Sequence, residues 1–160
     1  MTDVIYSMVQ TQYGKTLVAT KDDALVAFLF LAGDEPKMMQ FFHLKFLDAQ
    51  KSESTHFTNI AETVLSGKPV NFELNGTDFQ KSVWIELLKL KGVASYQELA
   101  NRIGKPKAVR AVANAVAQNL LHFLVPCHLV IRTGGDIGKY AGGVELKKQL
   151  LSNLPLGKSF

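Results

Sequence analysis

The sequence predicts an α+β protein in two parts, a strand-rich first half and a mostly helical second half. Three observations carry this. Residues 4–31 form short β-rich runs separated by turn residues. Residues 78–119 hold helical patterns with clean start and stop signals. Between them stands Asn75-Gly76, a turn dipeptide, where the charge balance also changes sign. The domains are therefore placed at residues 1–75 and 76–160.

In the first half, Val4 to Val9 is β-rich, Gln12-Tyr13-Gly14-Lys15 punctuates, and Thr16 to Thr20 resumes. Asp22-Asp23 turns the chain into the apolar run Leu25–Leu31, a buried strand. Met38 to Leu47 has helical length and a mostly apolar face. Lys51 to His56 is a polar loop, Ile60 to Leu65 a short helix ended by Gly67, and Val70 to Leu74 a strand. Nothing here has the spacing of a catalytic site. His43 and His56 are surface or packing residues, with no cysteine beside them to share a zinc ion.

The second half opens with a helix from Asp78 that places Phe79, Val83, Trp84, Leu87 and Leu88 on one face. Ser95-Tyr96-Gln97-Glu98 is a capping box, in which serine and glutamate satisfy each other's backbone amides. The helix it starts runs to Ile103 and stops at Gly104. Lys105-Pro106 begins the next, with proline in the first turn where no N–H is needed. Val109, Val112, Ala113 and Val116 form its buried stripe, and Gln118-Asn119 ends it. A capped helix, a tight glycine turn and a second helix fit a helix-turn-helix. The second helix offers Lys107, Arg110 and Asn114 to solvent, with small alanines at 108, 111, 115 and 117, so few bulky groups bar close approach of a partner.

Charge sharpens the division. Residues 1–75 carry six lysines and no arginine against nine acidic groups, net −3. Residues 76–160 carry nine lysines and three arginines against five acidic groups, net +7. A basic half is the electrostatic footprint of a surface that meets phosphates. With 47% apolar residues the 160-residue chain can fill a core, as one compact unit or two small ones. No stretch has the length of a membrane span, and Met1-Thr2-Asp3 opens no signal peptide. One unpaired cysteine argues against an oxidising compartment, so an intracellular protein is expected.

That cysteine, Cys127, sits in Val125-Pro126-Cys127-His128-Leu129-Val130. A sole cysteine makes no intrachain disulfide and no multi-cysteine metal site, which leaves core filler or nucleophile. Beside valines and leucines a lone cysteine is more often a small buried hydrophobe than a catalyst, so on these residues alone both roles stay open.

Residues 79–151 resemble the O6-alkylguanine-DNA alkyltransferases, or methylated-DNA–protein-cysteine methyltransferases. The matching blocks are Phe79-Gln80 with Val83-Trp84, Ser95-Tyr96-Gln97 with Leu99-Ala100, and Gly104, Pro106 and Ala108 with Arg110-Ala111-Val112. Asn119, Pro126-Cys127-His128, Gly138 with Tyr140 and Gly142-Gly143, Lys147 and Leu150-Leu151 follow in the family's order and spacing. The resemblance implies an N-terminal sheet-and-helix domain like ribonuclease H and a mostly helical C-terminal domain carrying the thiol and the helix-turn-helix.

It also implies roles. Cys127 takes an alkyl group from O6 of guanine and keeps it as a thioether, so the protein acts once. His128 takes the thiol proton through a water, and Asn119 ties the end of the second helix to the active-site loop. Tyr96 donates to guanine N3, and Tyr140 is a wall for base or alkyl group. Carbonyls of Cys127 and Val130 accept from the exocyclic amine, and the Ala141 amide donates to O6. Arg110 fills the place of the extruded base, while Ala111, Lys107 and Asn114 lie along the DNA. No cofactor and no metal are expected. The partner is double-stranded DNA containing O6-alkylguanine, with no membrane, met by a monomer whose cooperativity along DNA stays open. The location is that of the DNA: cytoplasm in a bacterium, nucleus in a eukaryote.

Two positions depart from the family pattern. Leu129 stands where the family has arginine after Pro-Cys-His, and Leu154 where it has the glutamate that orients the histidine. No acidic residue follows Glu145, which falls at the start of the last helix. The alternative function is therefore a non-catalytic lesion binder; a helix-turn-helix transcription regulator and a cysteine hydrolase explain fewer of the motifs. In serine proteases, replacing the orienting carboxylate with an amide costs about four decades in turnover, and a thiol needs less help than a hydroxyl. The expected outcome is a competent but slower alkyl acceptor with a less depressed thiol pKa. Transfer from methylated duplex under single-turnover excess measures this, and no labelling of Cys127 would overturn it.

Overall fold

The computed structural model describes residues 3–153. By contact the chain divides into two units, residues 1–75 with 120–124, and 76–119 with 125–160. Among the described residues the first unit holds a four-stranded sheet with two helices and the second is mostly helical with a short two-stranded pair, an α+β arrangement.

In the first unit β1 (Val4–Thr11), β2 (Gly14–Lys21) and β3 (Ala24–Phe30) form an antiparallel meander, and β4 (Gln50–Lys51) adds in parallel to the free edge of β1. The turn between β2 and β3 is Asp22-Asp23, both in the left-handed region (φ 49° and 66°), a conformation that matches the twist of the strands it joins. Thr16 to Ala19 of β2 and Leu25 to Phe30 of β3 are buried without alternation, the pattern of strands covered on both faces. Helix α1 (Glu35–Lys45) sets Phe42 edge-on to Tyr6 of β1 at 5.1 Å, and His43 joins the same cluster at 5.4 Å from Tyr6. Helix α2 (His56–Leu65) buries Phe57, Ala61 and Val64.

Several expectations shift here. The segment read as a loop from Lys51 to His56 begins in β4 and ends in α2, which starts four residues before Ile60. Val70 to Leu74 is not a strand: its backbone bonds, Leu25 N to Asn71 O at 2.8 Å and Glu73 N to Leu25 O at 3.0 Å, both use Leu25 and make one rung. The other edge of β3 is occupied further along by residues 120–124. Phe28 N donates to Leu120 O and His122 N to Phe28 O, each at 2.8 Å, and Phe30 N donates to the His122 Nδ1 at 3.1 Å. The imidazole takes the place of a carbonyl in that ladder, which requires the tautomer with its proton on Nε2.

The second unit contains α3 (Asp78–Leu88), β5 (Ala94–Ser95), α4 (Tyr96–Arg102), α5 (Val109–Ala117), β6 (Val130–Ile131) and α6 (Val144–Ser152), with a 3₁₀ turn at Cys127–Leu129. Thr77 and Gln80 cap α3 reciprocally, and Ser95 and Glu98 do the same for α4. Helix α4 closes on Ile103 with Gly104 at φ +76°, and Lys105 N bonds Ala100 O at 2.9 Å while Gly104 N bonds Asn101 O at 3.0 Å. This is the Schellman closure, and a Cβ would oppose its left-handed glycine. Helix α5 begins at Val109, not at Pro106: residues 105–108 form a separate turn closed by Ala108 N to Lys105 O at 2.9 Å and held by Gln97 Nε2 on Pro106 O at 2.9 Å.

The buried stripe of α5 is Val112, Ala115 and Val116, with Val109 and Ala113 half-buried. Ala115 is buried on the same helical stripe as Val112 and Val116, and its carbonyl accepts the Trp84 indole N–H at 2.8 Å. Of the α3 face, Val83, Trp84 and Leu87 are buried, Phe79 is half-buried under the Lys105 ammonium at 5.5 Å, and Leu88 is exposed.

Gly76 fixes how α3 enters this packing. A Cβ there would lie 2.5 Å from the Trp84 ring and 2.6 Å from the Gln80 Oε1 that caps Thr77. Gly76→Ala should therefore displace the indole and weaken its bond to Ala115, at a cost of about 1–3 kcal/mol. Denaturant unfolding of the variant, read as a lower midpoint at unchanged slope, checks this.

Candidate active site

The segment Val125–Ile131 runs from a tight turn into the short parallel pair β5–β6, in which Ala94 faces Val130 and Ser95 faces Ile131. This pairing brings the N-terminus of α4, and with it Tyr96, alongside the Cys127–Leu129 turn. Pro126, with φ −80°, sets the entry to that turn, and Val130 N closes it on Cys127 O. Cys127 is 5% exposed.

Asn119, at the end of α5, is buried and donates from one amide nitrogen to Val125 O at 2.9 Å and to the Cys127 sulfur at 3.2 Å. The Tyr140 hydroxyl is buried close to the same sulfur and favours its thiolate form. Helix α6 contributes Lys147, fully buried, whose ammonium donates to Val130 O and, at 3.4 Å, to Lys139 O. It joins the nucleophile turn to the loop that carries Tyr140. Sequence patterning gave Lys147 no role, because a lysine in a helix reads as solvent-facing; its place in the motif series was the only signal. The Val130 carbonyl spends one lone pair on this ammonium, and the Cys127 carbonyl one on Val130 N, which leaves each a second.

The electrostatics follow from burial. It pushes the Cys127 thiol above its ordinary value, opposed by the Asn119 hydrogen bond, the Lys147 charge and the Tyr140 hydroxyl. Burial lowers His128 to about 4, with Lys147 adding to the effect. Burial also brings Lys147 down to about 8, against the pull of Cys127 and Asp136. Tyr140 is raised well above the usual phenol range by burial and the nearby sulfur, and half-buried Tyr96 is raised for the same reasons, with Arg132 opposing. At neutral pH the resting site holds a thiol, a neutral imidazole and an ammonium.

The other sequence-predicted residues form a separate surface. Arg110, Ala111 and Asn114 are exposed on one side of α5, and Lys107 is exposed in the preceding turn. Ala141 is half-buried in the loop after Tyr140. Leu129 is buried, 4% exposed, in keeping with its apolar side chain. Leu154 lies outside the described residues, and Glu145 is in the first turn of α6. Among the described residues no cluster of three or more His, Cys, Asp or Glu could hold a metal, and no helix is long and apolar enough to cross a membrane.

Residues 78–153 match the family described as 6-O-methylguanine DNA methyltransferase, DNA binding domain. A methylated-DNA–protein-cysteine methyltransferase of Methanosarcina barkeri is 38% identical over 77% of this chain and 87% of its own length. The chain belongs to the methylated-DNA–protein-cysteine methyltransferase family. The bifunctional transcriptional activator/DNA repair enzyme Ada of Escherichia coli is 35% identical over 92% of the chain, which spans only 44% of that relative. The regulatory protein ada of Salmonella typhimurium is covered to the same 44%. Among solved structures, Mycobacterium tuberculosis OGT in complex with DNA superposes with a TM-score of 0.76 at 28% identity, over 92% of this chain and 91% of that one.

Within this family architecture the low His128 value has a measurable consequence. The folded group sits near 4 and the ordinary value is 6.5, so between those pH values the unfolded chain binds the extra proton. Stability should fall as pH drops through that window, by on the order of 3 kcal/mol when complete. Denaturant midpoints at pH 7 and 4.5 test this, and His128→Gln should flatten the difference.

Proposed function

We propose that this chain repairs DNA by direct, stoichiometric transfer of an alkyl group from O6 of guanine to Cys127. The observation that carries the proposal is a sole cysteine, buried beside a histidine, held by Asn119 and set close to the Tyr140 hydroxyl and a buried ammonium. A structural cysteine needs none of these polar partners.

In this reading the extruded guanine presents its alkyl carbon to Cys127. The S–C bond forms as the C–O6 bond breaks, and the electron pair passes to the base. The thiol proton moves to His128 through a water and finally to the departing guanine, which leaves intact. Thiol and imidazole are both neutral at rest, so charge separates only during attack. Lys147 favours the developing thiolate and disfavours the imidazolium. Tyr96 donates to N3 as negative charge grows on the base, and Tyr140 walls the pocket. The second lone pairs of the Cys127 and Val130 carbonyls accept the exocyclic amine, and the Ala141 amide donates to O6.

The target atom is out of reach inside a duplex, so the base must be flipped at a cost of a few kcal/mol. Arg110 occupies the vacated place, the small side chain of Ala111 permits close approach, and Lys107 and Asn114 hold the backbone. Phosphate contacts of this kind give sequence-independent affinity that falls with salt. The protein acts as a monomer in the compartment that holds the DNA.

Incubation with an O6-methylguanine duplex should add one methyl to Cys127, read by intact mass and peptide mapping. Cys127→Ser should abolish transfer and leave lesion-duplex binding in place. Binding by the unsubstituted protein without any mass gain would overturn transfer and leave a lesion-binding protein; sequence-specific binding to undamaged duplex would favour a regulator.

A further inference from the structure

We propose that Arg132 is a positioning residue for departure of the base: set beside Tyr96, its guanidinium makes the phenol a stronger hydrogen-bond donor to the leaving guanine. The inference deepens the repair reading above and rests on it.

The placement comes from the backbone. Strands β5 and β6 are parallel and end at the facing residues Ser95 and Ile131, so the next residue on each is Tyr96 and Arg132. The Ser95–Glu98 capping box fixes Tyr96 as the first residue of α4. Arg132 is fixed by the loop that follows it. Its N–H donates to Asp136 O at 2.7 Å, and its carbonyl accepts from Gly135 N at 3.1 Å. The Asp136 carboxylate takes Gly138 N at 3.1 Å through one oxygen and stands 3.5 Å from the Arg132 Nη1 through the other. The arginine stem lies over Gly138, where a Cβ would meet its Cγ at 3.5 Å.

The charged and titratable groups around this corner are Tyr96, Cys127, Asp136 and Lys147. Burial and the sulfur make Tyr96 a weaker acid, and Arg132 acts in the opposite direction. Transfer needs that opposition. When the C–O6 bond breaks, its electron pair spreads over the guanine ring to N3, where the Tyr96 hydroxyl is placed. A permanently charged guanidinium favours the polarised phenol, and through that phenol the nascent anion. The proton the base keeps is still the one released by the thiol, so Arg132 changes the stabilisation and not the stoichiometry.

Arg132 is more than half exposed, so its substitution leaves the core intact. Arg132→Met should slow single-turnover transfer at saturating O6-methylguanine duplex by about threefold to tenfold. Half-saturation should change little, and Arg132→Lys should recover most of the rate. In a Tyr96→Phe background, Arg132→Met should cost nothing further. Substituting 3-fluorotyrosine, whose phenol titrates at lower pH, allows Tyr96 to be followed by fluorine NMR, assigned by its loss in Tyr96→Phe. Its midpoint should rise in Arg132→Met without any DNA present. An unmoved midpoint, or equal losses of rate in both backgrounds, in a protein that accepts the methyl group overturns this inference alone. A protein that accepts no methyl group overturns the repair reading and this inference together.

Discussion

The Asn119 amide is the constraint on which the site depends. One side chain at the end of α5 holds both the Val125 carbonyl and the Cys127 sulfur, across a detour of five residues that pack elsewhere. The nucleophile is thereby registered to the C-terminus of the helix whose outer side carries Arg110. A hydrogen bond to sulfur also favours the thiolate over the thiol, so the residue that sets position also eases ionisation.

Burial works against that easing. The same packing that excludes water from Cys127 and His128 disfavours charge on both, raising one and lowering the other. Lys147 helps the sulfur and hinders the imidazole, so it cannot by itself prepare an ion pair. A carboxylate near His128 would close part of the gap, and the sequence carries no acidic residue after Glu145. The consequence is a site that keeps its thiol protonated until substrate arrives. Such a sulfur is protected from adventitious electrophiles and oxidants, which suits the single-use alkyl acceptor proposed above.

Local chemistry made much of this legible. The Ser95 capping box and the stop at Gly104 each follow from residues within a few positions of one another, and each stands in the structure at its expected place. What was not legible depends on partners distant in sequence. Lys147 turns inward because carbonyls 17 and 8 residues away accept its ammonium. The Trp84 indole finds its acceptor on the Ala115 carbonyl, 31 residues later. Val70–Leu74 has strand composition, but only Leu25 is available to pair with it. Arg132 looks like surface charge until the β5–β6 register sets it next to Tyr96.

The excursion of residues 120–124 also bears on how the protein can be taken apart. Leu120, Leu121 and His122 find their hydrogen-bond partners on β3, although they lie between two residues of the nucleophile's own unit. A fragment starting at Gly76 would keep the thiol, its histidine and the capped helices, yet would leave two leucines and an imidazole without the strand that covers them. Dissection at the most obvious seam would thus yield a sticky fragment with a loosened hinge beside its only sulfur.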